Sequence, residues 1–333
     1  MITIKKSGLL TTVQDLGRYG GYQKYGVIAS GVMDPIAHRI ANLLVGNDEH
    51  LPTLEITLLG PTIVFHKNAL IAICGGDLSP SINGEEVQSW RTVLVKKGSI
   101  LKFGPCKKGC RAYLAVAGGF SVPAVMNSKS TYLRAGIGGF KGRALQAGDE
   151  LLFGPSSKLS IKMQDELLER NTTGFIEGKW SIPSSLIPIF KGDTPIRVIK
   201  GRNYQQFTEE SQKSFFNEAF VVTPQSDRMG YRLSGPLLTL EKAEEMISEA
   251  VGFGTIQVPA NGKPIILLAD RQTTGGYPKI GQVASVDLPL IAQAKPGDQL
   301  YFTEISHREA QLLYLQKERQ LQILKHGIIE KFK

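Results

Sequence analysis

The chain has 333 residues, is 42% hydrophobic and 21% charged, and carries 36 Gly and 17 Pro. That balance is too apolar for an intrinsically disordered chain, and the length predicts two domains, each able to bury its own core. The formal charge of +9 admits an anionic partner, but no dense Lys/Arg block interleaved with aromatics accompanies it, so nucleic-acid binding is not expected.

The N-terminal Met1–Lys6 segment alternates and runs into Ser7-Gly8, without the apolar core of a signal peptide. No run of about 20 apolar residues follows, so the expectation is a soluble, cytoplasmic protein that does not enter the membrane. Cys74, Cys106 and Cys110 make an odd count, which suits a reducing compartment. Cys106 and Cys110 are half of a possible zinc site, but no second His or Cys pair has matching spacing, so no metal is expected.

Short apolar runs bounded by Gly, Pro, Asn or Asp predict strands at Thr62–Phe65, Ala69–Ile73, Thr92–Val95, Tyr113–Val116 and Ile265–Leu268. Asp34-Pro35 reads as an N-cap and first helical residue, opening a helix that ends at Gly46-Asn47. Thr208 opens a second helix over Glu209–Phe216. The longest helix is predicted from Ser306 to Lys331, with Leu312, Leu313, Leu321, Leu324 and Ile328 near helical spacing. It is expected to pack on the body or on a partner.

One phrase recurs. Lys97–Pro105 resembles Ala147–Pro155, and Pro296–Phe302 repeats its core: a Gly-containing turn followed by an alternating strand. The repetition favours two related β domains. The predicted organisation is an N-terminal domain over 1–155, a linker over 156–193, a C-terminal domain over 194–305 and a terminal helix over 306–333.

Four polar, glycine-rich segments carry candidate chemistry. The first, Thr11–Gly21 with Ala29–Asp34, gathers Gln14, Asp15, Arg18, Ser30 and Asp34 ahead of a helix N-terminus, a place that favours anions. The second, Ala72–Leu78, ends a strand in Gly-Gly-Asp; a close backbone approach to a ligand and a plain hairpin turn both fit. The third, Ser226–Gly235, carries Arg228, whose planar fork suits a carboxylate or phosphate. The fourth, Leu268–Gly281, delivers Asp270, Arg271, Gln272, Thr273, Thr274 and Lys279 around Gly275 and Gly276, a density of donors and acceptors that a plain hairpin does not need. No G-x-x-x-x-G-K-[ST] loop, dinucleotide fingerprint or G-x-S-x-G elbow is present, so a nucleotide site would be shared or unconventional.

Thr11–Arg18, Ser30–Pro35, Ala41–Asn47, Leu54-Glu55 and Asp270–Tyr277, in that order, resemble the carboxyltransferase-related KipA family, over roughly residues 1 to 305. This family includes the C subunit of bacterial ATP-dependent 5-oxoprolinase and part of the carboxyltransferase domain of urea carboxylase. The resemblance implies a mainly β fold: two cyclophilin-like β-barrel domains in tandem, with few helices and a C-terminal helix. It implies two partners, the KipI-like B subunit and the A subunit of 5-oxoprolinase, with which the complex opens 5-oxoproline to glutamate at the expense of ATP; the chain alone is expected to be inactive. It also implies relief of a KipI-like inhibitor of a sporulation kinase. A purely regulatory antagonist is the alternative. A third reading is one component of a biotin-dependent carboxyltransferase; no biotinyl Met-Lys segment is present, so biotin is not attached to this chain.

In the mechanism so implied, Asp270, Arg271 and Lys279 are the catalytic candidates. Asp270 binds a metal such as Mg or accepts a proton, Arg228 and Arg271 hold the substrate carboxylate or the transferring phosphoryl group, and Lys279 neutralises charge. Gln272, Thr273, Thr274, Gly275, Gly276 and Tyr277 bind substrate. Gln14, Asp15, Arg18, Ser30 and Asp34 form a second site or the partner interface, and ATP is shared with a partner chain.

Overall fold

The repeated phrase folds the same way at each occurrence. Gly98, Gly148 and Gly297 adopt φ of 86°, 90° and 93°. In each copy the following N–H closes the turn, Ser99 to Lys96 O, Asp149 to Gln146 O and Asp298 to Lys295 O, at 3.2, 3.1 and 3.0 Å. Nothing lies within 4 Å of a Cβ placed at any of the three, so the left-handed φ alone calls for glycine. Each turn then feeds a short strand: Ile100–Lys102, Glu150–Leu151 and Gln299–Leu300.

The computed structural model describes residues 1–170, 174–188, 194–242 and 246–333. The chain is mainly β and falls into two compact units that are discontinuous in sequence. The first comprises residues 1–18, 34–188 and 319–333, the second residues 19–33 and 189–318.

In the first unit, one six-stranded sheet runs in the order Glu150–Leu151, Ile2–Lys6, Thr62–Phe65, Ile100–Lys102, Ser81–Ile82, Glu85–Glu86. The other runs Phe175–Glu177, Thr92–Val95, Ala69–Asp77, Lys108–Val116, Thr53–Thr57, Leu10–Gln14. Alternate residues point to opposite faces, and Ile2, Ile4, Ile63, Phe65, Leu54, Ile56, Ile71, Ile73, Leu114 and Val116 meet in one core. Each such side chain contributes about 1.5–3 kcal/mol on burial. Gly75 belongs to this framework. At φ 100° it sits where the long strands shift register between Lys108 and Ala112, and a Cβ there would lie 2.4 Å from Arg111 O. The Gly-Gly-Asp of Ala72–Leu78 thus serves a bulge between strands.

The second unit is built on an eight-stranded sheet: Gln299–Leu300, Phe220–Val222, Gly230–Ser234, Ile265–Leu267, Thr255–Gln257, Lys279–Val283, Ile196–Lys200, Phe302–Glu304. The two edge strands are separated in sequence only by Tyr301, so the chain steps from one edge to the other and the sheet nearly closes into a barrel. Ile196, Val198, Ile256 and Ile266 fill its interior with Phe215, Phe220 and Phe302, the rings of Phe215 and Phe302 stacking at 5.0 Å.

Five α-helices are described: α1 Pro35–Leu44, α2 Lys158–Leu168, α3 Glu209–Asn217, α4 Leu288–Gln293 and α5 His307–Lys331. Asp34 caps α1 by accepting from Ile36 and Ala37 N–H at 3.1 and 2.9 Å, and Thr208 caps α3 through Ser211 N–H. α2 and the Phe175–Glu177 strand lie within the segment read as a linker, of which residues 171–173 and 189–193 are outside the described residues. On α5, Leu321 and Ile328 are buried and Leu313 packs against Ala284 and Ala310, as the spacing predicts. Leu312 departs from that pattern at 58% exposed, because its place on the helix faces solvent. No described helix is long and apolar enough to cross a membrane.

Candidate functional site

The Leu268–Gly281 segment leaves the barrel strand Ile265–Leu267, turns, and returns as the strand beginning at Lys279. Asp270 stands at the turn, only 5% exposed. Its carboxylate is taken by the Arg228 guanidinium, with Nε–Oδ2 at 2.9 Å and Nη2–Oδ1 at 3.2 Å, while Asp270 N–H donates to Arg228 O at 2.8 Å. Arg228 Nη2 also donates to Gly31 O at 2.5 Å. A bidentate, buried pair of this kind fixes geometry: it locks the start of the turn to the Ser226–Gly235 segment.

Past the turn, the polar side chains face outward. Arg271 reaches Leu268 O and Val251 O at 3.3 and 3.4 Å and lies over the Phe253 ring. Gln272, Thr274 and Tyr277 are exposed or half-exposed, and Thr273 is half-buried. Thr274-Gly275 pairs with Glu249-Ala250 in a two-residue antiparallel ladder, extended by Val251 N–H to Thr273 O at 3.1 Å. That ladder brings Glu249 to Lys279. Lys279 Nζ donates to Glu249 Oε2 at 2.8 Å, and Arg202 Nη1 donates to Oε1 at 2.7 Å, so each carboxylate oxygen has its own cation. The hydrogen bond from Lys279 holds the Glu249 carboxyl below the usual carboxylate range, with Arg202 adding to the effect.

Gly276, Tyr277 and Pro278 line one wall of a cavity of about 300 Å³, whose other walls include Phe207, Leu238, Met246 and Val258. Its lining is mostly apolar, with Thr239 contributing a hydroxyl-bearing side chain, a composition that suits a small ring carrying a few polar atoms.

The other predicted cluster is distributed differently. Gln14, Asp15, Arg18 and Asp34 belong to the first unit and Ser30 to the second, and all five are buried. Asp15 accepts from Ser128 and Ser130 hydroxyls at 2.7 and 2.5 Å, from Lys129 N–H at 2.6 Å and from Gly17 N–H at 2.9 Å. Arg18 donates to Ser130 O, and the Gln14 amide donates to Thr12 Oγ1 and Thr131 O. These side chains organise the loop over 128–131. Asp34 caps α1, and its N–H donates to the Tyr113 hydroxyl at 2.8 Å, which in turn donates to Glu55 at 2.9 Å. Burial, with Glu55 and Asp34 close by, pushes the Tyr113 hydroxyl well above its ordinary range.

Sequence reasoning missed Glu249, Arg202 and the cavity lining from Phe207 to Met246. Glu249 lies 30 positions from Lys279, and nothing in their spacing links them. Cys106 Sγ donates to Gly109 O at 3.1 Å, and among the described residues no group of three His, Cys, Asp or Glu is placed to hold a metal ion.

The family of this architecture is shown by comparison with known proteins. Residues 25–304 match the carboxyltransferase domain, subdomain A and B, and the chain belongs to that family. It is 37% identical over 331 residues to the C subunit of 5-oxoprolinase from Haemophilus influenzae, spanning 99% of this chain and 100% of the relative. It is 38% identical over 310 residues to the Escherichia coli protein of the same name, covering 93% of each. Among solved structures, Kluyveromyces lactis urea carboxylase superposes with a TM-score of 0.87 at 31% identity, over 98% of this chain and 29% of that one. The family and mainly β fold expected from the sequence are therefore those of the protein.

Proposed function

We propose that this chain is the C subunit of an ATP-dependent 5-oxoprolinase, which with the A and B subunits opens 5-oxoproline to L-glutamate. The observation that carries the reading is the likeness to two proteins of that name along nearly their whole length. The geometry of the second unit supports it. The apolar cavity beside Tyr277 offers room for the five-membered ring, and Lys279, next in the chain to Pro278 of its lining, is a cation for the carboxylate.

In this reading Asp270 and Arg228 are positioning residues. Both Asp270 oxygens face Arg228, so a divalent ion does not fit there. ATP supplies the phosphoryl group that activates the amide oxygen, at a site shared with a partner chain. This chain orients the ring, screens the carboxylate charge and excludes water from the apolar wall.

The test is 5-oxoproline-dependent release of ADP and glutamate from the chain mixed with its A and B partners, omitting each in turn. The expected result is loss of release whenever this chain is left out. Release that persists without it would overturn the reading. A regulatory role, binding a KipI-like partner and relieving its inhibition of a sporulation kinase, is a second proposal. It is favoured by the exposed Leu312, Tyr314 and Leu315 of α5, an apolar set that a partner would cover.

A further inference from the structure

Glu249 is held as a substrate carboxylate would be. Its two oxygens are taken by two different cations, Lys279 at 2.8 Å and Arg202 at 2.7 Å. The cations differ in setting. The Lys279 side chain is only 14% exposed, whereas that of Arg202 is 75% exposed and that of Glu249 36%. The Lys279 backbone is pinned by its N–H, which donates to Asn203 Oδ1 at 3.0 Å. Glu249 sits on a strand held by only two residue pairs. Two cations against one carboxylate leave a net positive charge, to which Arg271, bonded to Val251 O two residues beyond Glu249, adds a further one. Exposed ion pairs are worth little, so exchanging Glu249 for another carboxylate costs little, whereas a mostly buried ammonium keeps a strong demand for an anion.

We propose that Lys279 and Arg202 form a carboxylate-binding site for a small carboxylic acid, and that Glu249 occupies it in the free protein as a built-in competitor. The inference deepens the reading above, since 5-oxoproline carries such a carboxylate, and it assigns Arg202 and Glu249 to substrate selection.

The experiment titrates the full chain with 5-oxoproline, with propionate, and with the neutral amide of 5-oxoproline, following the amide signals of residue 249, Thr274 and Gly275. Glu249→Gln should tighten both carboxylates by about three- to tenfold, the range that release of one exposed and one partly buried ion pair allows, and leave the neutral amide unchanged. Adding Lys279→Met should abolish the gain. Glu249→Ala repeats the test independently of the glutamine side chain. Unchanged or weaker carboxylate binding in both Glu249 variants, or no binding by them in the millimolar range, would overturn the proposal. Tightening of propionate without any preference for 5-oxoproline would uphold the carboxylate site and count against 5-oxoproline as the substrate.

Discussion

Replacing Asp270 by alanine removes the carboxylate that faces the buried Arg228 guanidinium; replacing Arg228 by methionine leaves the Asp270 carboxylate buried without its counter-charge. Both side chains are more than nine-tenths buried. Unit charges about 4 Å apart at an effective dielectric of about 20 attract by about 4 kcal/mol, and breaking one side of a buried pair costs about 3–5 kcal/mol. That is a large part of the stability of an ordinary domain, about 5–15 kcal/mol. The double variant Asp270→Ala/Arg228→Met should cost at least about 2 kcal/mol less than the sum of the singles, because no charge is then left buried. Trp90 and Trp180, the two tryptophans of the chain, both belong to the first unit, so indole fluorescence does not follow this transition. Hydrogen exchange at Val198, Ile256 and Ile266 in the barrel does, under increasing urea. Single variants that cost less than about 1 kcal/mol, or a strictly additive double variant, would refute the brace.

His38 and the glycines give two further tests. His38 is buried, its Nδ1 against the Thr53 hydroxyl and its Nε2 donating to Glu49 O, and burial lowers its pKa from 6.5 to about 4. The unfolded chain therefore binds more protons between those values, so this contribution is present above pH 6.5 and lost as pH falls toward 4. The loss at pH 5 is about 2 kcal/mol, and His38→Gln should flatten the stability profile between about pH 7.5 and pH 5 by that amount in urea titrations. Gly98→Ala, with open space around its Cβ, should cost about 1 kcal/mol through φ alone, whereas Gly75→Ala, facing Arg111 O, should cost several times as much by the same assay. Equal costs would refute the close-approach argument.

Much of the scaffold was legible because its signals are local. Asp34-Pro35 and Thr208 announce their helices since a cap needs only a side-chain oxygen within reach of N–H groups two or three residues on. The three Gly turns repeat since a left-handed φ is a property of one residue. The fourth polar segment stood out by composition. Its partners did not: Arg228 with Asp270 lies across 42 positions, Lys279 with Glu249 across 30, and Arg202 with Glu249 across 47. The helix α2 was hidden inside a stretch whose Ser and Pro residues resemble a linker, and its N-cap Ser157 was part of that disguise.

The sequence by itself determined where the chain turns, which segments alternate and which region concentrates polar groups, because those properties depend on neighbours along the backbone. The tertiary structure decided which charge meets which. Asp270, read from the sequence as a metal ligand or proton acceptor, is the buried partner of Arg228, while the unremarked Glu249 came to rest between Lys279 and Arg202. The strands and the turns between them place side chains that lie tens of residues apart within about 3 Å, and how the strands pair is set by burying the apolar faces of the whole sheet rather than by any local pattern.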